Sequence, residues 1–234
     1  MDEKFYPYTG ATNPTAYEHW NECTDPDYLL EKLMWEIAPI EGKMVLDVGA
    51  GSGFQTVRYA SKAFRVFAAE PDPRMLRQIY LRLAKNDLAN VSVMAASAEE
   101  ITLPSDSIDV AYARFAYFYG TDESLPGLRE IQRILKPGGH FFVIDTNPDQ
   151  GQFGKMARQI YPEIYTPTYV EERADFYKEH GFERFEVDTV IRAPNRDILG
   201  DILKLDFAEH YEEVLPTVEG NEISYSLSVY HFKE

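Results

Sequence analysis

The segment VLDVGAGSGFQT, residues 45–56, sets three alternate glycines between an apolar run and a helical pattern. Gly49, Gly51 and Gly53 let the chain turn tightly and let a ligand approach with no Cβ in the way, and the helix that follows offers unpaired N–H groups. A loop of this kind suits many nucleotides. The dinucleotide fingerprint asks for a further glycine where this chain has Phe54, and the phosphate loop asks for Gly-Lys-Ser or Gly-Lys-Thr, which is absent. Asp47, just ahead of the first glycine, would repel a phosphate but can accept hydrogen bonds from an ammonium group, so the ligand is expected to be cationic at that end. Glu70 lies about 20 residues past the loop, the distance at which an acid takes both hydroxyls of an adenosine ribose. A third segment, MAASAEEITLP, can lay Ala98 and Glu99 along an adenine edge.

These groups need a scaffold that brings them to one place. Short runs rich in Val, Ile, Phe and Ala at residues 44–48, 66–69, 91–94, 108–113 and 141–144 are too apolar for a wet face and read as buried parallel strands. Between them, residues 55–62, 73–86 and 124–135 have helical spacing, the last ended by Lys136-Pro137-Gly138-Gly139. Alternation of this kind predicts an α/β, doubly wound sheet with helices on both faces. Its ligands sit outside the carboxyl ends of the strands, where the glycine loop falls. After Asp145 a Pro and Gly loop, a helix over 168–180, a strand over 182–192, a helix from 195 to about 211 and an alternating strand over 223–232 are expected, the two strands extending one edge of the same sheet.

One domain over residues 1–234 is expected: an N-terminal helical flap (1–40), a cofactor-binding core (41–150) and a C-terminal part that completes the sheet (151–234). Acidic residues outnumber basic ones 39 to 23, a net charge of -16 that repels phosphate backbones and disfavours nucleic acid as a partner. Cys23 is the single cysteine, which excludes an intrachain disulfide and a cysteine-based zinc site, and no metal site is expected. No segment approaches the roughly 20 uninterrupted apolar residues of a membrane span, and no secretory signal is legible, so a cytoplasmic protein without a membrane partner is expected.

The order and spacing of these motifs resemble the class I S-adenosylmethionine-dependent methyltransferases, the small-molecule group related to ubiquinone biosynthesis, over roughly residues 40–150. The matching stretches are VLDVGAGSG, Glu70, SAEEITLP, IDVAYARFAYFY and LREIQRILKPGGHFFVID. The resemblance implies a Rossmann-like, three-layer sheet of seven strands in the order 3-2-1-4-5-7-6 with the last antiparallel. It implies S-adenosyl-L-methionine as cofactor, held by Asp47, Gly49, Ala50, Gly51 and Gly53 at the methionine end, by Glu70 and Pro71 at the ribose and by Ser97, Ala98 and Glu99 at the adenine. Arg114 and Phe115 would line the floor beneath the sulfonium. Many relatives have Asp where this chain has Ser97, and often a histidine pair where it has Phe118-Tyr119, so the acceptor side is expected to be aromatic.

Methyl transfer needs alignment, exclusion of water and, for some acceptors, loss of a proton. Tyr8, Tyr17, Phe118, Tyr119 and Asn147 are the residues expected on the acceptor side, Tyr17 for its hydroxyl and His19 as the one histidine placed to act as a base. The proline and glycine breaks in FYPYTGATNPTAYEHW predict a mobile N-terminal flap. Asn147-Pro148-Asp149 is not the Asn or Asp-Pro-Pro-aromatic motif of base and glutamine methylators, and no Pro-Cys pair is present for attack on cytosine. A small-molecule methyltransferase is therefore the leading expectation. Its rivals are a cofactor-binding sensor or scaffold without catalysis and an NAD-dependent oxidoreductase, the latter weakened by Phe54. Neither the acceptor nor the oligomeric state is legible.

Overall fold

Val45, Leu46 and Val48 are all removed from solvent, as a strand with both faces covered requires. They belong to β1 (Met44–Val48) of a computed structural model that describes residues 13–234. The other strands are β2 (Arg65–Ala69), β3 (Val91–Met94), β4 (Ile108–Arg114), β5 (Leu135–Gln150), β6 (Glu183–Arg192) and β7 (Glu222–Lys233). The helices are α1 (Pro14–Cys23), α2 (Leu29–Ile37), α3 (Phe54–Ala60), α4 (Pro73–Asn86), α5 (Leu125–Ile134), α6 (Gly151–Ile160), α7 (Tyr169–Glu179) and α8 (Arg196–Phe207), followed by short helical turns over 208–217. Strands pair in the order β3-β2-β1-β4-β5-β7-β6, as expected, and β1 lies parallel to both β2 and β4. β7 runs antiparallel to β5: Glu234 bonds back to Gly138 and Gly139, while Tyr225 bridges Gly151. Among the described residues no helix is long and apolar enough to cross a membrane.

The chain forms two compact units. One is built from Leu33–Asp145, Glu172–Phe185 and Val229–Glu234. Its sheet is covered on both faces. Ala111 and Ala113 of β4 enter a core with Leu46, Leu128, Ile131, Phe141 and Tyr177, whereas Tyr112 turns to the opposite face between Tyr59 of α3 and Phe142 of β5 at 4.6 and 5.4 Å. The helix α5 ends just ahead of Lys136-Pro137-Gly138-Gly139, as expected, and these four residues fall at the start of β5. Register jumps from Ile108↔Leu135 to Val110↔His140, so these residues bulge out of β5, with Gly138 at φ 77°. Lys136 reaches Asp109 Oδ2 at 2.9 Å, an oxygen that also accepts from the Met44 N–H at the start of β1.

The second unit comprises Thr146–Glu171, Glu186–Ser228 and the described residues as far as Lys32. Asn13-Pro14 was expected to break the chain; it starts α1 instead, because Asn13 caps the helix by accepting from Ala16 N–H and proline suits the first helical turn, whose N–H has no partner to lose. The first 12 residues, and with them Tyr8, lie outside the described part. Past Asp145 the expected loop is likewise replaced: β5 continues to Gln150 and α6 follows, with Phe153, Met156 and Ala157 buried at helical spacing. Asp25 organises the start of α2. Its carboxylate is buried and accepts from Leu29 N–H at 3.0 Å, Leu30 N–H at 2.9 Å and Thr189 Oγ1 at 2.7 Å, while its own N–H donates to Val190. Asp25→Ala leaves three donors without an acceptor and is expected to cost roughly 2–4 kcal/mol, read from the urea midpoint; a loss below about 1 kcal/mol would show that water replaces the carboxylate.

In the first unit His140 Nδ1 and His231 Nε2 share a hydrogen bond of 2.9 Å, and the His231 ring stacks on Phe142. Burial, then the neighbouring His140 and Lys233, lowers His231 to about 4. A histidine pushed below its ordinary value of about 6.5 gives stability that is complete above that pH and is lost as pH falls towards the folded value. Replacing His231 by Phe should therefore flatten the fall in unfolding free energy between about pH 6.5 and 4 relative to the parent, measured by urea titration at several pH values. Parallel pH profiles of the two proteins would assign the loss to other groups.

Candidate functional site

At the end of β1 the chain turns through Gly49 at φ 67°, Gly51 at φ 56° and Gly53 at φ 77° before α3 begins. The Gly49 and Ala50 N–H groups both donate to Ala69 O, which ties the loop to the end of β2. The three glycines do different things. A Cβ on Gly49 would overlap that of Ala116, so this position is closed by protein, while a Cβ on Gly53 would press on the Ile79 side chain at 3.3 Å, closer than ordinary contact. Gly51 N–H donates to Glu70 Oε2 at 2.8 Å. From α4, Arg82 donates to Ser52 O at 2.9 Å and lies over the Phe54 ring, clamping the loop from outside.

Glu70 is buried at the end of β2, its second oxygen accepting from Asp72 N–H at 2.8 Å. One carboxylate thus joins the glycine loop to the start of α4, where Asp72 caps the helix and holds the Arg74 guanidinium. A carboxylate has about four acceptor positions, so Glu70 has capacity left for further donors. Burial pushes it up to about 7, against the pull of those two N–H groups. Asp47, buried on β1, accepts from Thr56 Oγ1 at 2.5 Å. Burial pushes it up to about 6, opposed by the Thr56 bond and the Arg114 charge. Both acids therefore titrate near neutral pH and would gain from ligand groups that donate hydrogen bonds or carry positive charge.

β4 ends in strained backbone, with Phe115 at φ 53° and Tyr117 at φ 56°, a region costly for side chains of this size. Arg114 stacks over the Phe115 ring at 5.6 Å. Tyr117 donates to Glu123 O at 3.0 Å, and burial followed by the Glu99 carboxylate raises its phenol to about 12. After β3, Ser97 O accepts from Glu100 N–H, Ala98 is buried and Glu99 is exposed. β1 to β4 are parallel, so the loops that follow them open at one end of the sheet, beside the point where strand order reverses around β1. That is where ligands enter doubly wound folds.

Residues 45–139 match the family model described as a methyltransferase domain. A demethylmenaquinone methyltransferase from Clavibacter sepedonicus is 28% identical over 135 residues, 58% of this chain and 54% of that protein. An uncharacterized methyltransferase of Mycobacterium tuberculosis (strain H37Rv) is 32% identical over 126 residues, 53% of this chain and 48% of that one. The chain thus spans about half the length of these curated relatives. The structure of an S-adenosylmethionine-dependent methyltransferase from Aquifex aeolicus shares the fold, with a TM-score of 0.60 over 97% of this chain and 98% of that one at 20% identity. Over residues 45–139 the chain is thus similar to methyltransferase domains, and its fold is one that S-adenosylmethionine-dependent methyltransferases share.

Within the methyltransferase domain the structure brings Asp47, Gly49, Ala50, Gly51, Gly53, Glu70, Pro71, Ser97, Ala98, Glu99, Arg114 and Phe115 to the carboxyl ends of four neighbouring strands. Phe118 is buried, its ring edge-on to Phe141 and Tyr117 and its carbonyl accepting from Tyr177 OH, which makes it core; Tyr119 beside it is exposed. Tyr17, His19 and Asn147 belong to the other unit. Tyr17 and His19 lie on α1, where His19 approaches Asp201 of α8 at 3.5 Å; Asn147 is buried and accepts from Asp149 N–H. Sequence reasoning missed Thr56 and Arg82. Asp72 alone of the unforeseen group had a local signal, Asp-Pro ahead of a helical pattern.

Gly49→Ala tests the packing around the loop. It adds a clash with Ala116 and an unfavourable φ, and is expected to lower stability by roughly 2–4 kcal/mol with or without ligand, measured by urea unfolding. Unchanged stability would mean that Gly49 serves ligand approach alone.

Proposed function

We propose that this chain transfers a methyl group in line from S-adenosylmethionine to a small-molecule acceptor. The single observation that carries the reading is the Glu70 carboxylate, which holds the glycine loop at Gly51 and retains acceptor capacity at the place a ribose diol needs it. The residues fit the cofactor chemically. Asp47 suits the ammonium of a methionine moiety, Glu70 the ribose hydroxyls, and Ala98 and Glu99 the adenine, while Arg114 stacked on Phe115 borders the loop after β4. When bound, S-adenosylmethionine supplies an electrophilic methyl group on a sulfonium.

The protein's part is then positioning and exclusion of water. Asp47 and Glu70 orient the donor by hydrogen bonds that need their charged forms, and the Arg82 clamp on Ser52 keeps the loop from opening. With Phe118 committed to the core, Tyr119 is the aromatic side chain that the loop after β4 offers to an acceptor. The net charge of -16 favours a small molecule over RNA, although one relative is a tRNA U34 carboxymethyltransferase. Other relatives are named for demethylmenaquinone methylation and for ubiquinone/menaquinone C-methylation, which supports a planar acceptor. A single buried thiol, Cys23, suits a reducing cytoplasm.

Calorimetry with S-adenosylmethionine tests the reading. Affinity should rise between pH 5 and 8, as Asp47 loses its proton near about 6 and Glu70 near about 7. Glu70→Ala should weaken binding roughly tenfold or more, the worth of a charged hydrogen bond. Formation of S-adenosylhomocysteine with a planar acceptor completes the test. Affinity that ignores pH and the Glu70 substitution would overturn it.

A further inference from the structure

The acidic character of the chain is not evenly spread. From the start of α3 to the end of α4, residues 54–86 hold seven of the 23 basic residues and two of the 39 acidic ones, Glu70 and Asp72, both of which are buried. This stretch presents positive charge on a protein whose net charge is -16. α4 concentrates it, with Arg74, Arg77, Arg82 and Lys85 and no acid in 14 residues. The helix turns Met75, Ile79 and Leu83 inward, where Ile79 and Leu83 pack with Ala68 of β2. On its outer side Arg74, Arg77, Tyr80, Leu81 and Lys85 are all exposed, at spacings of three and four residues. Arg74 pairs with Asp72, while among the described residues neither Arg77 nor Lys85 makes an ion pair. Phe64, Leu81 and Tyr80 are 67%, 63% and 58% exposed, more than any other large apolar side chain among the described residues. Single exposed apolar side chains are ordinary, but two that adjoin on a cationic helix face have the composition of an interfacial helix.

We propose that the outer face of α4 docks the protein on an anionic phospholipid surface, with Arg74, Arg77 and Lys85 meeting headgroup phosphates and Tyr80 and Leu81 entering the boundary with the acyl chains. Charge complementarity selects the occupant. The rest of the chain is more acidic than the whole and is repelled by such a surface, so attraction is confined to this side. Screening limits the reach of each charge to about 8 Å at physiological salt, which lets the α4 cations act locally in spite of acids farther away. A second copy of the chain is a poorer occupant, because a two-fold contact through α4 would set cations against cations. Nucleic acid would satisfy the cations but offers the exposed leucine no apolar surroundings. Docking of this kind needs no spanning segment, so the lack of a long apolar helix among the described residues does not bear on it. The face lies within one compact unit, and docking does not depend on the cofactor reading.

Co-sedimentation of the full chain with lipid vesicles tests the proposal. Vesicles of phosphatidylcholine mixed with phosphatidylglycerol should bind the protein at low salt roughly tenfold or more above vesicles of phosphatidylcholine alone, and binding should fall steeply as salt is raised. Arg77→Gln combined with Lys85→Gln should weaken binding roughly thirtyfold, each cation near the surface being worth about fivefold. Tyr80→Ser combined with Leu81→Ser should weaken it roughly tenfold and leave the salt dependence in place. Lys155→Gln combined with Lys178→Gln removes the same charge from exposed positions outside the face, and should change binding by less than about twofold. Equal binding to the two kinds of vesicle, an equal loss from the Lys155 and Lys178 pair, or no loss from the Tyr80 and Leu81 pair would overturn the proposal. Two further results would reassign the face and overturn it as well. One is a single-stranded RNA that binds at the concentrations where vesicles do and loses affinity with the Arg77 and Lys85 substitutions; the other is self-association in lipid-free solution that those substitutions abolish.

Discussion

The Glu70 carboxylate accepts from Gly51 N–H on one side and Asp72 N–H on the other, and so fixes the glycine loop against the start of α4. Much else at this end of the sheet hangs on that link. Asp72, positioned by it, caps α4 and grips Arg74, and α4 in turn carries Arg82 back to Ser52 across the loop. The link is also costly. Glu70 sits beside two other acids, Asp72 and Asp47, in surroundings that hold its carboxyl near neutral pH, and only donors from the backbone or from a ligand offset that burial.

Around this link, the sheet separates structural from chemical work. Each strand alternates its side chains, so Ala111 and Ala113 go to one covered face and Tyr112 to the other. Chemistry is left to the strand ends. There the backbone departs from ordinary conformations, in the glycines after β1 and in Phe115 and Tyr117 after β4. Phe118 and Tyr119 illustrate the division at the scale of neighbouring residues: one ring is locked in an aromatic core and the next faces solvent.

The two carboxylates of highest interest arise in different ways. Glu70 comes at a strand end, where a polar group meets the ligand edge of any doubly wound sheet. Asp206 comes in a helix stripe where only an apolar residue would be expected, with Trp20 as its one donor among the described residues. In each case the surroundings withhold water from a carboxylate that accepts fewer hydrogen bonds than it could.

Local pattern was enough to determine the strand and helix alternation, the seven-stranded order through the family motifs, and which polar residues stand at the strand ends, because strand period, glycine spacing and motif order are properties of neighbouring residues. It misread Asn13-Pro14 as a break and residues 146–160 as loop, since a proline is equally at home in a turn and in the first turn of a helix. What only the tertiary structure decided is partnership across long separations. Thr56 on Asp47, Arg82 on Ser52, Tyr117 beside Glu99 and Trp20 on Asp206 join residues that no periodicity relates, and burial, which sets the charge state of each acid, exists only once the chain has folded around it.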